Sequence, residues 1–334
     1  MKIDLLTFGR ASIDLYSKNI GAEFNDIKEL TTGVGGPPVN IAVGAQRLGL
    51  KTGIVSAVGP DLIGKFIINT LNNEGVDTSH IVTIDGKTSA AIVCGIIPPD
   101  KFPLVFYRDN APDKMISMDH LKNLDFSNYR SFLMTGTSFA EEPSRKTSFD
   151  ISIKAKKNNI PIFLDIDFRA NLWKDVLEFG KVTKEYLKMT DIVIGTEEEV
   201  LSLNLEDPNQ IKIKNSSITQ PEIEGNLQDA INMILASGVK LLLLKTGPQG
   251  VIAYYNDGRV NEIPGFPVEI TNVLGAGDAF AGGFIYGYIN GWDDYKSLRL
   301  ANACGAWLVT KQGCCSFSPS YDEIVQFIED KGGF

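Results

Sequence analysis

Short, unbroken apolar runs recur along the chain between longer segments of mixed polarity. The runs over 3–8, 52–58, 132–135, 160–167, 191–195 and 239–245 predict strands. They are continuous rather than alternating, as strands covered on both faces must be. The segments between them predict helices over 37–48, 62–74, 141–159, 175–188, 197–203 and 222–237, and three more follow over 279–288, 294–310 and 321–331. Gly49 and Gly75 mark helix ends, and Asp61 is placed to cap a helix start. Strands alternating with helices predict a parallel sheet covered on both faces.

Two regions break the rhythm. Residues 88–97 and 104–108 are β-like, with a turn at 98–101. With 12–34 they predict a small sheet outside the main layer, a lid. Residues 206–221 read as a polar surface loop. Residues 251–255 form a further β-like run, and a β-rich run over 268–273 leads into a glycine turn. No internal repeat appears, and one α/β domain over 1–334 is expected.

Composition narrows the function. The chain has 334 residues, 43% hydrophobic and 22% charged, with net charge −9. No basic run stands out, so nucleic acid is excluded as a partner. No apolar run approaches ~18 residues and the start lacks a signal-peptide core, so a soluble cytoplasmic protein with no membrane partner is expected. Cys94, Cys304, Cys314 and Cys315 are not spaced as disulfides or zinc ligands, and two histidines argue against a multi-histidine metal site. An acidic protein that handles anions needs local positive sites, which gives individual arginines interest.

The sharpest motif is Gly275-Ala276-Gly277-Asp278. A glycine turn opening a helix offers unpaired N–H groups and a positive dipole to an anion. Asp278 beside that anion can take a proton from an attacking hydroxyl. The plainer reading is an ordinary helix start with a favoured Asp. Gly35-Gly36-Pro37-Pro38-Val39-Asn40 begins another helix, where Gly36 permits close approach and Asn40 offers a donor and an acceptor for sugar hydroxyls. Asp14 follows the first strand, where open α/β sheets bind ligands. Gly59 to Lys65 nearly spells a phosphate loop, but Phe66 stands where a magnesium-binding hydroxyl is needed, so that reading fails.

Arg108 ends the lid region and could grip a carboxylate or phosphate. Asp165, Asp167 and Arg169 share one face if the strand stays extended; an internal Asp–Arg pair is the alternative. Thr196 and Glu199 read as a capping box, or Glu199 organises Mg²⁺ and its waters. Thr246, Gly247 and Gly250 lie in a turn, either plain or over nucleotide phosphates. Asn302 sits among small residues that would let a flat base approach.

Taken in order, this set resembles the PfkB/ribokinase family of carbohydrate kinases. Gly35 to Asn40 looks like its N-terminal glycine signature and Gly275 to Asp278 like its C-terminal one. The resemblance implies a ribokinase-like three-layer αβα sandwich with a mostly parallel central sheet and a small β lid formed from about 12–34 and 88–108. It implies ATP and Mg²⁺, with transfer to a sugar hydroxyl. By the same resemblance Asp278 is the catalytic base, and the N–H groups of Gly275, Ala276 and Gly277 are the anion hole. Asp14, Gly36 and Asn40 are sugar contacts. Thr246, Gly247, Gly250 and Asn302 lie at the nucleotide, and Glu199 at the metal.

Arg108, Asp167 and Arg169 resemble the branch acting on keto-deoxy sugar acids. Within it the likeness is to kinases of 5-dehydro-2-deoxygluconate, ahead of 2-keto-3-deoxygluconate kinases, then fructokinases and ribokinases. A non-catalytic sensor on the same fold is the reading from another class. Asn272, Val273 and Leu274 replace the Asp-Thr of many members, so a monovalent cation is left unassigned. Lids of this family can pair into dimers, and the resemblance leaves a homodimer through the lid open.

Overall fold

The computed structural model describes residues 2–99, 101–212 and 221–334. Alternating apolar strands and amphipathic helices build a nine-stranded sheet. Its strands are β1 (Leu5–Phe8), β4 (Thr52–Val58), β5 (Asp77–Thr83), β8 (Phe132–Thr135), β9 (Ile162–Asp165), β10 (Ile192–Thr196), β13 (Leu241–Lys245), β14 (Gly250–Tyr255) and β15 (Val260–Pro264). Their order is β15-β14-β13-β10-β9-β8-β1-β4-β5. Every pairing from β13 to β5 is parallel, and β14 and β15 are antiparallel.

The period-2 pleat sorts side chains to two cores. Leu6, Phe8, Ile162 and Leu164 pack towards α3 (Ser144–Lys157), α4 (Val176–Leu187), α5 (Glu197–Ser202) and α6 (Leu227–Ala236). Leu5, Leu133 and Phe163 pack towards α1 (Pro37–Arg47), α7 (Ala276–Ile289) and α8 (Asp294–Val309). The helix α2 (Leu62–Asn73) lies against α1 and β4, and α9 (Tyr321–Asp330) against α8. These are the three expected layers.

A second sheet of four strands is the lid. Its order is β3 (Leu30–Gly35), β2 (Ser12–Ser17), β6 (Ala90–Cys94) and β7 (Leu104–Tyr107). The chain enters it from β1 through Gly9, at φ 145°, where a side chain would meet Thr135 Oγ1. A two-stranded ribbon, β11 (Ile211–Lys212) with β12 (Glu222–Ile223), forms a separate small sheet whose Ile223 packs into the first of the two cores.

Four sequence expectations are corrected. No strand forms over 268–273; the N–H groups of Thr271 and Asn272 donate instead to the Val309 carbonyl at the end of α8 (2.8 and 3.1 Å). The strand expected over 160–167 stops at Asp165, because Asp167 turns left-handed at φ 38°. The helix expected from 222 begins at Leu227, capped by Asn226, and Glu222–Ile223 is a strand. Strands β5 and β15 were not anticipated: both are edges, short of apolar residues and partly exposed. Of the turn at 98–101, residue 100 lies outside the described residues, as do 213–220 of the loop at 206–221.

Candidate functional site

The carboxyl ends of the parallel strands converge under the lid, the usual ligand side of such a sheet. There α7 begins at Gly275, a left-handed residue at φ 80° that allows the sharp entry from 274. Asp278, in the first turn, is partly buried. Asn40, in the first turn of α1, donates from Nδ2 to Asp278 Oδ2 at 2.7 Å. Chain segments from opposite ends of the sequence therefore meet at one carboxylate. Withdrawal from water pushes the Asp278 carboxyl up to about 6, with Asp167 adding to the rise; the Asn40 hydrogen bond, Lys245 and Arg169 oppose it.

The first N–H groups of α7 have no intrahelical acceptor. Ala276 differs from its neighbours, because its N–H donates to the Val273 carbonyl at 3.2 Å. Gly277 has a second reason to be glycine. A Cβ there would lie 2.8 Å from Lys245 Nζ, so the missing side chain admits an ammonium to the helix N-terminus. Lys245 also stands 3.6 Å from Glu199 Oε2. Burial works against its charge, but the carboxylates of Glu199, Asp165 and Asp278 outweigh that and raise its pKa.

The lid supplies the other end. Asp14 on β2 is buried and accepts hydrogen bonds from Ser12 Oγ and Tyr16 OH, both at 2.9 Å. A Cβ on Gly35 would overlap Asp14 Oδ2, so this glycine makes room for the carboxylate. Gly36, at φ 106°, lies against the Arg10 carbonyl. Burial pushes the Asp14 carboxyl up, against the pull of Arg10 and its two hydrogen bonds. Arg108 follows β7 and is buried, its Nη2 donating to Asp113 Oδ2 at 2.6 Å.

Asp167 accepts from Thr137 Oγ1 at 3.0 Å and from Arg169 Nε at 2.9 Å. The local Asp–Arg pair is thus formed, and the single extended face for Asp165, Asp167 and Arg169 is not. Burial lowers Arg169, but Asp167, Glu199 and Asp278 more than restore its charge.

Among the described residues five buried side-chain polar atoms have no partner, and three of them are Asn40 Oδ1, Arg108 Nε and Asp113 Oδ1. Each such group costs about 1–3 kcal/mol unless a ligand or water completes it. All three belong to residues of this cleft, so the site is shaped for a polar, hydroxyl-bearing and anionic guest.

The remaining expected residues gather around the ends of β13, β14 and β15. Thr246 N–H donates to the Gly250 carbonyl at 2.9 Å, closing the turn after β13. Gly247 is exposed at φ 61° with open space beyond it. Gly250 is buried, and a Cβ there would overlap the Ile263 carbonyl, so it is demanded by the β14–β15 turn. Asn302 on α8 donates to the carbonyls of Ile263 and Pro264 at 3.0 and 3.1 Å.

Glu199 accepts the Thr196 N–H at 2.8 Å, completing the capping box of α5. Among the described residues no group of three His, Cys, Asp or Glu side chains forms a metal cage. The donor set fits a magnesium ion held chiefly by phosphate oxygens and water, with one carboxylate nearby.

Sequence reading passed over Arg10 and Lys245 as functional groups and took Asp165 only as part of a charged strand end. A charged residue ending an apolar strand is the signal for Asp165 and Lys245; Arg10 follows the same rule two residues after β1. Among the described residues no helix is long and apolar enough to cross a membrane.

Comparison with known proteins agrees with this geometry. The family model described as pfkB family carbohydrate kinase matches residues 2–320. The chain is 32% identical over 330 residues to a 5-dehydro-2-deoxygluconokinase of Clostridium tetani, covering 98% of this chain and 94% of that protein. It is 30% identical over 328 residues to one from Geobacillus thermodenitrificans, covering 98% and 93%. An E. coli protein described provisionally as a ribokinase II, solved in complex with ATP and Mg²⁺, superposes with a TM-score of 0.83 at 26% identity, covering 98% of this chain and 99% of that one.

Proposed function

The chain belongs to the pfkB family of carbohydrate kinases and is a sugar phosphotransferase with a ribokinase-like fold; on that premise we propose that it moves the γ-phosphoryl group of ATP to the terminal (6-) hydroxyl of 5-dehydro-2-deoxy-D-gluconate, a cytoplasmic step of myo-inositol catabolism. The observation that carries this reading is the 2.7 Å contact between Asn40 and Asp278, which joins both glycine signatures at one carboxylate. The names of the relatives at 30–32% identity support the substrate.

Asp278 accepts the proton of the attacking hydroxyl. A pKa of about 6 leaves it ionised at neutral pH yet more basic than an ordinary carboxylate. Asn40 fixes its orientation. The N–H groups and dipole at the start of α7 stabilise negative charge on the group in transit, and Lys245 adds a full positive charge beside them. Asp14, Asn40 Oδ1 and Asp167 receive the sugar hydroxyls, and Gly36 lets the sugar approach the backbone. Arg108 and Arg169 orient the keto and carboxylate groups.

Thr246 and Gly247 lie on the nucleotide side of the cleft, with Gly250 and Asn302 shaping its wall. Magnesium, when bound, neutralises nucleotide oxygens, and Glu199 would hold its waters. The lid excludes water that would compete as acceptor. Leu30, Val105 and Tyr107, exposed on the lid, support pairing of two copies there.

The test is ATP consumption with 5-dehydro-2-deoxygluconate, 2-keto-3-deoxygluconate, fructose and ribose. The first is expected to give the highest kcat/KM. A higher value for 2-keto-3-deoxygluconate hands the site to that substrate, and a higher value for either neutral sugar removes the acid. No consumption with any of them leaves a sugar-sensing role.

A further inference from the structure

Arg10 lies where the chain crosses from the main sheet to the lid. Its Nη1 donates to Ser12 Oγ at 3.0 Å, and Ser12 in turn donates to Asp14. Its guanidinium stands 5.8 Å from the ring centre of Phe106. Along β7 the inward positions alternate with exposed Val105 and Tyr107, so Phe106 and Arg108 share the inner face. Arg10 and Arg108 are therefore neighbours on the cleft side of the lid.

Their charges feel each other. Burial and the Arg108 charge both hold Arg10 below the usual guanidinium pKa, while Asp14, Asp167 and Asp113 oppose this. Arg108 is 6% exposed, uses Nη2 on Asp113, and has no partner for Nε. Two cations close together, one with a buried unpaired donor, cost free energy that an anion between them relieves. Arg169 is placed differently. It pairs with Asp167, whose charge also reaches Arg10, and it feels Glu199 and Asp278.

We propose that Arg10 and Arg108 together clamp the carboxylate of the sugar acid, and that Arg10 sets the preference for an acid over a neutral sugar. Arg169 then serves the end where the phosphoryl group moves. This rests on the sugar-acid reading above and names the residue that enforces it.

Arg10→Gln is the variant, assayed with 5-dehydro-2-deoxygluconate and with fructose, and by calorimetric binding of the acid without nucleotide. Loss of one charge-assisted contact is expected to raise KM and Kd for the acid roughly 10–100-fold. Turnover at saturation and the KM for fructose stay within about threefold. Arg10→Lys, which keeps the charge and loses the fork, gives the same selective rise if Arg10→Gln melts well below the wild type. Equal KM increases for acid and fructose, or an unchanged Kd for the acid, overturn the clamp. Wild-type protein that uses fructose but no acid overturns the substrate reading instead, and the clamp with it.

Discussion

The two ends of the cleft are built on different principles. At the phosphoryl end, Asp278, Lys245, Arg169 and Glu199 stand on strand ends and helix starts of the main layers, and each has a polar or charged partner in place. At the sugar end, Arg10, Asp14, Arg108 and Asp113 stand on the lid or its approaches, and Arg108 and Asp113 each keep a buried atom unsatisfied. The first end has its charged groups paired in advance, with Asn40 Oδ1 beside Asp278 left for a guest. The second is finished by its ligand. On the proposed function, a site divided this way keeps its chemistry on the main layers and its selectivity on the lid.

That division predicts separable defects. Asp278→Asn should lower turnover about 10²–10⁴-fold while calorimetry shows ATP and the sugar acid binding as before. Joint loss of binding and turnover would break the division. Lys245→Met removes the cation beside the α7 N-terminus and should cost roughly 10–100-fold in turnover. Because Lys245 holds the Asp278 carboxyl down, the acid limb of its pH profile should also move upward. An unmoved limb would separate Lys245 from the base.

At the other end, Asp113→Asn weakens the anchor of Arg108 and should raise KM for the acid about tenfold, with kcat little changed. A fall in kcat alone would place Asp113 in the wrong half. Thr137→Ala removes one neutral donor to Asp167 and should cost about 2–10-fold in kcat/KM. A larger loss would show that Asp167 depends on Thr137 for its left-handed turn.

Much of this was legible before any coordinates. The apolar runs located seven of the nine main strands, including Phe132–Thr135 and Thr52–Val58, because a doubly covered strand must be apolar throughout. The two strands that escaped, β5 and β15, are the edges, whose exposed positions dilute that pattern. Gly275 to Asp278 and Gly35 to Asn40 were readable as paired motifs, yet their 2.7 Å meeting was not, since no local rule relates such distant segments.

Alternation misjudged Asp165, Asp167 and Arg169, because a single left-handed residue resets the faces. Lys245 was hidden by its neighbour. Gly277 reads as space for an anion, and only packing shows an ammonium in reach of that space.

The most direct measurement is the pH dependence of kcat/KM for the wild-type protein with ATP and 5-dehydro-2-deoxygluconate, which reports groups of the free enzyme. Asp278, raised to about 6, must lose its proton before it can accept one. Activity should rise as pH increases through about 6 and level off above it. A profile flat from pH 5 to 8, or a midpoint near that of an ordinary carboxylate, would contradict the assignment of Asp278 as the base.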